Sequence, residues 1–534
     1  MTPLAKRWVL GVLVGTCAVI VTLAVVVVWP TKPVGANTGP ATSASVTAPA
    51  PPTSDVAGAF LAAFAKGDAT AAAALTDDPQ AAAGTLSSVW RGLAPQSVIA
   101  ERAAPDPAAT EVPFTVTWTF GPQRVWTYPS TLSLTEARRV RWTPALVHPK
   151  LAAGHGLVLR GSTGQPAVLD RDGTPLLVWQ ADGPAVVDPA LAPLLLPAMA
   201  RVAREQGGAN GWHVALTDAA GTELERLAGS GGEGKPLASV LSIPVQRAAQ
   251  AAVDSVAAPA RLVAIKPSTG DILAVAQNGP AGAEPRALNG LYPPGSTFKI
   301  ATATAALQAG VATPDTVLPC PGSLTIGQRT IPNDNGFALG DVPLHSAFAR
   351  SCNTTFGQLA ADLGPDALST AAGQLGLNAD FTIPGLTTEA GAVEPAQGNA
   401  QKVENGIGQG TVRASPFGVA LMSATVASGR AVVPRLWRDL ATEVTAGYQP
   451  PPRAVLDRVR AMMREVVTAG TATAIGRRGA VFGKTGTAQF GDGSAAHGWF
   501  TGYRGDLAFA VLVESAGSSA PAVAASSAFL GGVG

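Results

Sequence analysis

Tyr292-Pro-Pro-Gly-Ser-Thr-Phe-Lys299 is the stretch that decides the fold. Its prolines and glycine form a rigid turn, and the Ala- and Thr-rich run from Ser296 to Gly310 predicts a helix. Residues three apart lie on one helix face, so Lys299 can reach the Ser296 hydroxyl. Of the nine lysines in the chain, Lys299 alone has a serine three residues before it. The pair predicts a serine nucleophile with an adjacent base.

Two further motifs follow in a fixed order. Ser351-Cys-Asn353 begins 55 residues after Ser296, and Lys484-Thr-Gly-Thr487 begins 133 residues after Ser351. The second motif lies in a predicted strand from Val481 to Phe490. We expect Gly491-Asp-Gly493 to turn the chain and His497 to Tyr503 to return as a second strand.

The residue types suit acyl transfer to and from a serine. Lys299 can act as a base only if its pKa falls toward neutrality, which burial beside a second cation, Lys484, would achieve. Ser351 is expected to relay a proton and Asn353 to hold a substrate amide.

The strand motif suits a peptide that ends in a carboxylate. Lys484 with the Thr485 and Thr487 hydroxyls would bind that carboxylate, and Gly486 would let a substrate backbone lie along the strand edge. Singly, each motif also fits a helix cap or a solvated strand residue. Together and in this order, the three motifs favour a catalytic site.

The ordered triple resembles the signature of penicillin-binding proteins and class A β-lactamases. Further matches lie at Leu262–Ala276, turned at Ser268-Thr-Gly-Asp271, at Ile407-Gly-Gln-Gly410 and at Trp499-Phe-Thr-Gly-Tyr503. The chain resembles a class B penicillin-binding protein, a serine D,D-transpeptidase, with a methicillin-resistance-type N-terminal domain. The resemblance is strongest over residues 235–534.

The resemblance implies an α+β/α/β multidomain fold. Its catalytic domain, residues 235–534, would have a central antiparallel five-stranded sheet flanked by helices. A cone-shaped, NTF2-like α+β domain would precede it at 54–151, although a generic α+β domain is the alternative. Residues 152–234 would form a reduced pedestal or dimerisation-like region. In the N-terminal domain, helices are predicted at Val56–Ala65 and Ala69–Leu75, and strands at Val112–Phe120, Trp126–Leu134 and Val140–Trp142.

Residues 1–30 predict a cytoplasmic tip and a transmembrane anchor. Lys6-Arg7 precedes an uncharged apolar run from Trp8 to Trp29, and about 20 such residues span a bilayer. The positive charges favour a cytoplasmic N-terminus and an extracytoplasmic catalytic domain. A cleaved signal peptide and a lipid-modified Cys17 are the competing interpretations. Residues 31–53 form a Pro/Ala/Ser/Thr linker.

Cysteine, histidine and charge usage narrow the function further. Cys320 and Cys352 fall on the predicted outer side, where disulfides persist, so a bridge between them would pin the Ser351 loop; two free buried thiols are the alternative. Net charge +1 without basic blocks argues against nucleic acid as a partner. The five histidines lack metal-ligand spacing. No cofactor or metal is implied, and Glu404 and His497 are expected to be structural.

The resemblance implies that Ser296 attacks the penultimate D-alanine carbonyl of a peptidoglycan stem peptide. Backbone amides of Ser296 and of a residue near Thr487 would form the oxyanion hole. Stem peptides and β-lactam antibiotics are the expected ligands, with envelope-assembly proteins as further candidate partners. Open alternatives are an acylatable β-lactam sensor, a scaffold without turnover, and a D,D-carboxypeptidase or β-lactamase with water as acceptor.

Overall fold

The computed structural model describes residues 55–103, 109–121, 124–161, 164–180, 183–206, 211–230, 235–490 and 495–534. The predicted membrane anchor, the linker and the turn at Gly491-Asp-Gly493 lie outside these residues. Of the helices within those ranges, none combines the length and the apolar composition that a bilayer crossing requires.

The N-terminal domain consists of helices followed by an antiparallel sheet of three strands. The helices begin on aspartate N-caps, Asp55, Asp68 and Asp78, each of which accepts a hydrogen bond from the backbone amide three residues later; this satisfies one of the free donors of each helix start. The elements are α1 (Val56–Lys66), α2 (Ala69–Ala74), α3 (Pro79–Leu93), β1 (Ser97–Arg102), β2 (Glu111–Gly121) and β3 (Arg124–Ser133).

Most of the predicted elements of this domain are confirmed. The alternating residues Phe114, Val116, Trp118 and Phe120 of β2 all point into the core. The prediction of a strand at Val140–Trp142 is wrong, because Val140 makes only isolated bridges and the chain then enters a 3-10 turn at Pro144–Leu146. Proline has no amide proton to extend a ladder.

The middle region divides its apolar side chains between its two neighbours. The strands Gly156–Gly161 and Trp212–Thr217 contribute Leu157, Trp212 and Val214 to the N-terminal core. The strands Pro166–Leu169 and Pro175–Gln180 and the helix Leu196–Glu205 belong instead to the core of the C-terminal part. The elements are β4 (Gly156–Gly161), β5 (Pro166–Leu169), β6 (Pro175–Gln180), β7 (Gly183–Val186), α4 (Leu196–Glu205), β8 (Trp212–Thr217), β9 (Glu223–Ser230) and β10 (Leu237–Ala238).

The C-terminal part is built on an antiparallel sheet of five strands, in the spatial order Ile272–Gln277, Ala260–Ile265, Leu507–Val513, Ala495–Arg504 and Val481–Phe490. This arrangement, with helices packed against it, confirms the predicted fold. Its first elements are α5 (Ile243–Asp254), β11 (Ala260–Ile265), β12 (Ile272–Gln277), α6 (Arg286–Asn289), α7 (Lys299–Ala309), β13 (Val317–Cys320), β14 (Ser323–Ile326), β15 (Arg329–Pro332) and β16 (Gly340–Pro343).

The remaining elements complete the sheet and cover it. They are α8 (Leu344–Ala349), α9 (Asn353–Asp362), α10 (Ala367–Gln374), β17 (Asp380–Thr382), β18 (Gly391–Ala392), α11 (Asn399–Gly406), β19 (Arg413–Ala414), α12 (Pro416–Ser428), β20 (Glu443–Ala446), α13 (Arg453–Thr468), β21 (Val481–Phe490), β22 (Ala495–Arg504), β23 (Leu507–Val513) and α14 (Ala520–Gly532). Strand β21 lies at one edge of the sheet, so one side of its backbone is free of a neighbouring strand. That edge carries the Lys484 motif.

Candidate active site

Ser296 lies in a tight turn at the start of the predicted helix. Residues Gly295–Phe298 form a 3-10 turn, and the α-helix α7 begins at Lys299. Positions three apart are eclipsed in a 3-10 turn, which places Ser296 and Lys299 on the same side. Ser296 lines the adjacent cleft, whereas Lys299 is fully buried. The predicted helix is confirmed, with a tighter first turn.

Three glycines allow the serine turn to touch two distant segments. Gly295 adopts a positive φ of 52°, and a Cβ there would lie 2.5 Å from the Thr487 carbonyl oxygen. A Cβ on Gly408 would lie 1.9 Å from the Gly295 oxygen. A Cβ on Gly486 would lie 2.8 Å from the Pro294 oxygen. Gly486 therefore lets β21 approach the serine turn. The sequence predicted only that Gly486 would leave room for a substrate backbone, and this packing role is additional.

Lys299 is held against the Ser351 loop. Its Nζ donates to the Ser351 carbonyl oxygen at 2.7 Å, to Asn353 Oδ1 at 2.7 Å and to Ser351 Oγ at 3.4 Å. The same Nζ lies 5.5 Å from the centre of the Phe356 ring. These contacts fix the amine in a buried pocket directly beneath the turn that carries Ser296.

Ser351 lies between the two lysines of the motifs. Lys484 Nζ donates to Ser351 Oγ at 2.9 Å and to the Thr485 carbonyl oxygen at 3.1 Å. Ser351 has φ of 66°, a left-handed conformation that is costly for a residue with a side chain. This conformation turns the carbonyl toward Lys299 while the hydroxyl faces Lys484. The strained backbone of Ser351 therefore accompanies its contacts with both Lys299 and Lys484.

Burial shifts the protonation of both amines. Burial, and secondly the charge of Lys484, hold the pKa of Lys299 well below its ordinary value, while the charge of Asp334 opposes that shift. Burial lowers the pKa of Lys484 to about 7. Desolvation penalises an ammonium ion, and a second cation adds repulsion. An amine of this kind can accept a proton from a hydroxyl near neutral pH.

The Ser351–Asn353 loop is anchored by a residue that no motif includes. Asn333, just after β15, accepts from the backbone amide of Asn353 at 2.7 Å and donates to the carbonyls of Pro321 and Phe337, each at 2.8 Å. The structure also joins Cys320 and Cys352 by a disulfide, with 2.08 Å between the sulfurs. Both restraints tie the start of α9 to the β13 segment.

A cleft of about 1190 Å³ opens between β21 and the Ser351 loop. Ser296, Ser351, Asn353, Thr485 and Thr487 line it. Lys299 and Lys484 are completely buried and lie behind that lining. The cleft thus brings the predicted hydroxyl and amide groups to its surface and keeps both predicted amines beneath it.

Glu404 and His497 have partners outside the cluster formed by Ser296, Ser351 and the two buried lysines. Glu404 lines the cleft and is paired with Arg329, 2.8 Å from Oε1 to Nε. His497 stacks on Phe490 with 4.2 Å between ring centres and meets the Tyr292 ring edge-on. Burial lowers the pKa of His497 below its ordinary value, so the neutral ring is favoured as a packing group.

Two protein-family models match the chain. The penicillin binding protein transpeptidase domain matches residues 260–529, half of the chain, and the NTF2-like N-terminal transpeptidase domain matches residues 53–155. This chain belongs to the penicillin-binding protein transpeptidase family. The second match confirms the NTF2-like domain expected before the catalytic part.

Members of this family with named activities share the catalytic half. The peptidoglycan D,D-transpeptidase PbpA of Mycobacterium tuberculosis is 33% identical over 307 residues, which is 48% of this chain and 61% of the relative. The chain therefore spans about three fifths of the length of that relative. The match supports family membership and leaves the activity of the whole protein to be proposed.

Solved structures of the family share the fold. The D,D-transpeptidase domain of a peptidoglycan glycosyltransferase from Eggerthella lenta aligns with a TM-score of 0.56 and 25% identity, over 70% of this chain and 98% of that chain. A ceftriaxone acyl-enzyme complex of penicillin-binding protein A from M. tuberculosis aligns with a TM-score of 0.54 and 23% identity, over 70% of this chain and 98% of that chain. The latter similarity concerns the fold alone.

Sequence reasoning missed two supports of this site. Asn333 is one, since an asparagine beside a proline and an aspartate predicts only a turn. Tyr292 is the other: its hydroxyl donates to Glu514 Oε1 at 3.1 Å, and Trp499 Nε1 donates to the Pro293 carbonyl oxygen at 3.0 Å. Both contacts join residues more than 200 positions apart, a pairing that a single sequence cannot indicate.

Proposed function

We propose that this protein is a serine D,D-transpeptidase that cross-links peptidoglycan stem peptides through a Ser296 acyl-enzyme. The observation that carries the proposal is the cluster in which Ser351 accepts hydrogen bonds from both buried amines beneath the turn of Ser296. A buried amine with a lowered pKa beside a serine hydroxyl is the chemistry that an acyl-transfer nucleophile needs.

In the proposed acylation, Ser296 Oγ attacks the carbonyl of the penultimate D-alanine and Lys299 takes the hydroxyl proton. Backbone amides of Ser296 and Thr487 stabilise the oxyanion. The peptide bond then breaks, and terminal D-alanine leaves with a proton passed through Ser351 or Lys299. Asn353 holds a substrate amide, and the cleft-lining Thr485 and Thr487 hydroxyls bind the terminal carboxylate while Lys484 stays behind them.

In the second step, an amine of a neighbouring stem attacks the Ser296 ester. The amine loses a proton to the site, a new amide forms, and the Ser296 hydroxyl is regenerated. A β-lactam acylates the same oxygen when its ring amide opens, and it stays bound where water is poorly placed. Use of water in place of the amine would make the protein a D,D-carboxypeptidase.

The proposal includes the N-terminal residues. Residues 8–29 would anchor the chain in the membrane with a cytoplasmic N-terminus and an extracytoplasmic catalytic domain, which suits a peptidoglycan substrate and envelope-assembly partners. The charges of Lys6 and Arg7 before the apolar run support this orientation. The boundaries at residues 30, 53, 151 and 234 are part of the same proposal.

Labelling with a fluorescent penicillin tests the nucleophile. Wild-type protein should be labelled and Ser296→Ala should not, because removal of the nucleophile abolishes acylation. Ser369→Ala, a serine on α10 outside the cleft, is the matched control and should label like the wild type. Equal labelling of wild type and Ser296→Ala would refute the assignment.

Partition of the acyl-enzyme tests the acceptor. The protein is given a thioester donor that acylates serine, together with a D-amino acid as acceptor amine, and the products are separated by mass. Amide formation is the expected result. Formation of the hydrolysed acid alone, at every acceptor concentration, would favour the D,D-carboxypeptidase instead.

A further inference from the structure

The charged side chains of the cleft differ in whether they already have partners. Among the described residues that line it, the ionisable ones are Arg329, Asp334, Arg350 and Glu404. Arg329 and Glu404 pair with each other at 2.8 Å. The charge of Asp334 acts on Lys299, whose pKa it raises against the effect of burial. Arg350 is exposed, and its guanidinium makes no hydrogen bond or ion pair with the part of the chain that the structure describes.

Arg350 lies on the threonine side of the cleft. It follows Ala349, whose carbonyl oxygen accepts from the Thr471 backbone amide at 3.2 Å. The Thr471 hydroxyl in turn lies 2.6 Å from the Thr485 hydroxyl. These short contacts connect the backbone that carries Arg350 to the hydroxyls that would bind a peptide carboxylate, and Thr471 itself lines the cleft.

Lys484 is poorly placed to provide the charge for that carboxylate. It is fully buried, and its Nζ already donates to Ser351 Oγ and to the Thr485 carbonyl oxygen. Because burial lowers the pKa of Lys484 to about 7, its charge is also partly lost near neutral pH. A guanidinium keeps its charge throughout this range and matches a carboxylate with two parallel hydrogen bonds.

We propose that Arg350 binds the terminal carboxylate of the acyl donor and thereby selects donors that end in a free carboxylate. The inference rests on the proposed function and names the specificity residue of that site. The Thr471 and Thr485 hydroxyls complete the carboxylate site beside it. Lys484 acts on Ser351 and is left free to exchange protons with it.

The test uses the full-length protein and two donors that differ in one group. One thioester donor ends in a free carboxylate, and the second carries a carboxamide at the same position. The rate constant for acylation of Ser296 is measured by intact-protein mass spectrometry over a range of donor concentrations. The proteins are wild type, Arg350→Gln, Arg350→Lys and Arg458→Gln, the last an exposed arginine of α13 outside the cleft.

For Arg350→Gln, the second-order rate constant with the carboxylate donor should fall about tenfold, the size of a lost charge-assisted hydrogen bond. The concentration for half-maximal rate should rise while the limiting rate stays close to that of wild type. The rate with the carboxamide donor should be the same in both proteins. Arg350→Lys should recover part of the loss, and Arg458→Gln should leave both rates unchanged.

An equal fall with both donors would overturn the inference, because it would show that Arg350 only shapes the loop. Unchanged rates with both donors would overturn it as well, since the carboxylate would then be bound elsewhere. Failure of the proposed function looks different: wild-type protein would not be acylated by either donor, or Ser296→Ala would be acylated as fast as wild type.

Discussion

In the N-terminal core, Trp118 Nε1 donates to the Tyr128 hydroxyl at 3.0 Å, and Tyr128 donates to the Val147 carbonyl oxygen at 2.6 Å. In this series, each donor has one acceptor. In the cleft, Ser351 Oγ accepts hydrogen bonds from two buried amines whose charges would repel each other, and its backbone is strained. The first cluster only stabilises the fold, whereas the second gives up stability to keep reactive groups together.

The protonation states differ in the same way. Burial raises the pKa of Tyr128 far above the physiological range, so its hydroxyl never ionises. Burial lowers the pKa of Lys484 to about 7, within the range where proton transfer is useful. Desolvation acts in both places, but it keeps a neutral group neutral in the core and makes a charged group reactive in the cleft.

The largest expected effect is the loss of acylation when the buried amine of Lys299 in the cleft is removed. Lys299→Met should slow acylation by fluorescent penicillin about 10³-fold, the usual effect of losing a general base. The measurement is the labelling rate at saturating penicillin. Lys266→Met, a lysine whose Nζ lies 3.7 Å from Asp506, is the matched control and should stay near the wild-type rate. A similar loss in both variants would contradict the assigned role.

The next largest effect should be the loss of stability when the Cys320–Cys352 disulfide is removed. Replacement of Cys320 and Cys352 by serine should lower the free energy of unfolding by about 3–4 kcal/mol, because the bridge closes a long loop in the unfolded chain. Denaturant unfolding measures the loss. Thiol titration of denatured, unreduced protein should find one sulfhydryl, that of Cys17. Three would show that the bridge is absent in solution.

The pH dependence of stability should reveal the buried amine. In the folded protein, Lys484 gives up its proton near pH 7, whereas the unfolded chain keeps it to about pH 10.4. The unfolded state binds more protons between these values, so the free energy of unfolding should rise with pH by about 1 kcal/mol per unit there. Lys484→Met should lose this contribution and keep that of Lys299, whose pKa is also lowered. Parallel pH profiles for the two proteins would exclude the shift.

The hydrogen bond between Trp118 and Tyr128 in the N-terminal domain should affect stability but not acylation. Tyr128→Phe leaves Trp118 Nε1 and the Val147 oxygen without a partner in a buried site, and it should lower the free energy of unfolding by about 2 kcal/mol. The penicillin labelling rate should not change. If labelling fell as far as stability, the two clusters would be coupled and the comparison would fail.

The smallest effect isolates the strain at Ser351. Ser351→Ala and Ser351→Gly both remove the hydroxyl and should be equally slow in acylation. Glycine accepts a positive φ without cost, so Ser351→Gly should be about 1 kcal/mol more stable than Ser351→Ala. Denaturant midpoints of the two variants decide this. Equal midpoints would indicate that the loop relaxes when the hydroxyl is lost.

Local patterns predicted the elements that carry the site. The alternation in β2, the turn before Ser296 and the small residues of α7 are local signals, and the structure has a strand or helix at each. The strand pair β21 and β22, which register Lys484 opposite Thr501, was likewise expected from two apolar runs. Such signals suffice because one face of each element is buried.

Long-range contacts were beyond a single sequence. Nothing local indicates that Asn333 would bind the amide of Asn353 or that Ser351 would adopt a left-handed backbone. The division of the middle region between two cores is of the same kind, since its strands show no pattern that names their partner. The sequence also did not indicate that the Lys484 side chain is fully buried and turns toward Ser351.

Gly295, Gly408 and Gly486 meet with no room for a methyl group, and this limits how the proposed enzyme could change to avoid acylation by a β-lactam. Any larger residue at these positions would displace Ser296, so the proposed acylations by a β-lactam and by the donor peptide would be lost together. Substitutions that keep the proposed acylation should therefore be confined to the exposed rim of the cleft, where a residue such as Asn335 can change without moving the nucleophile.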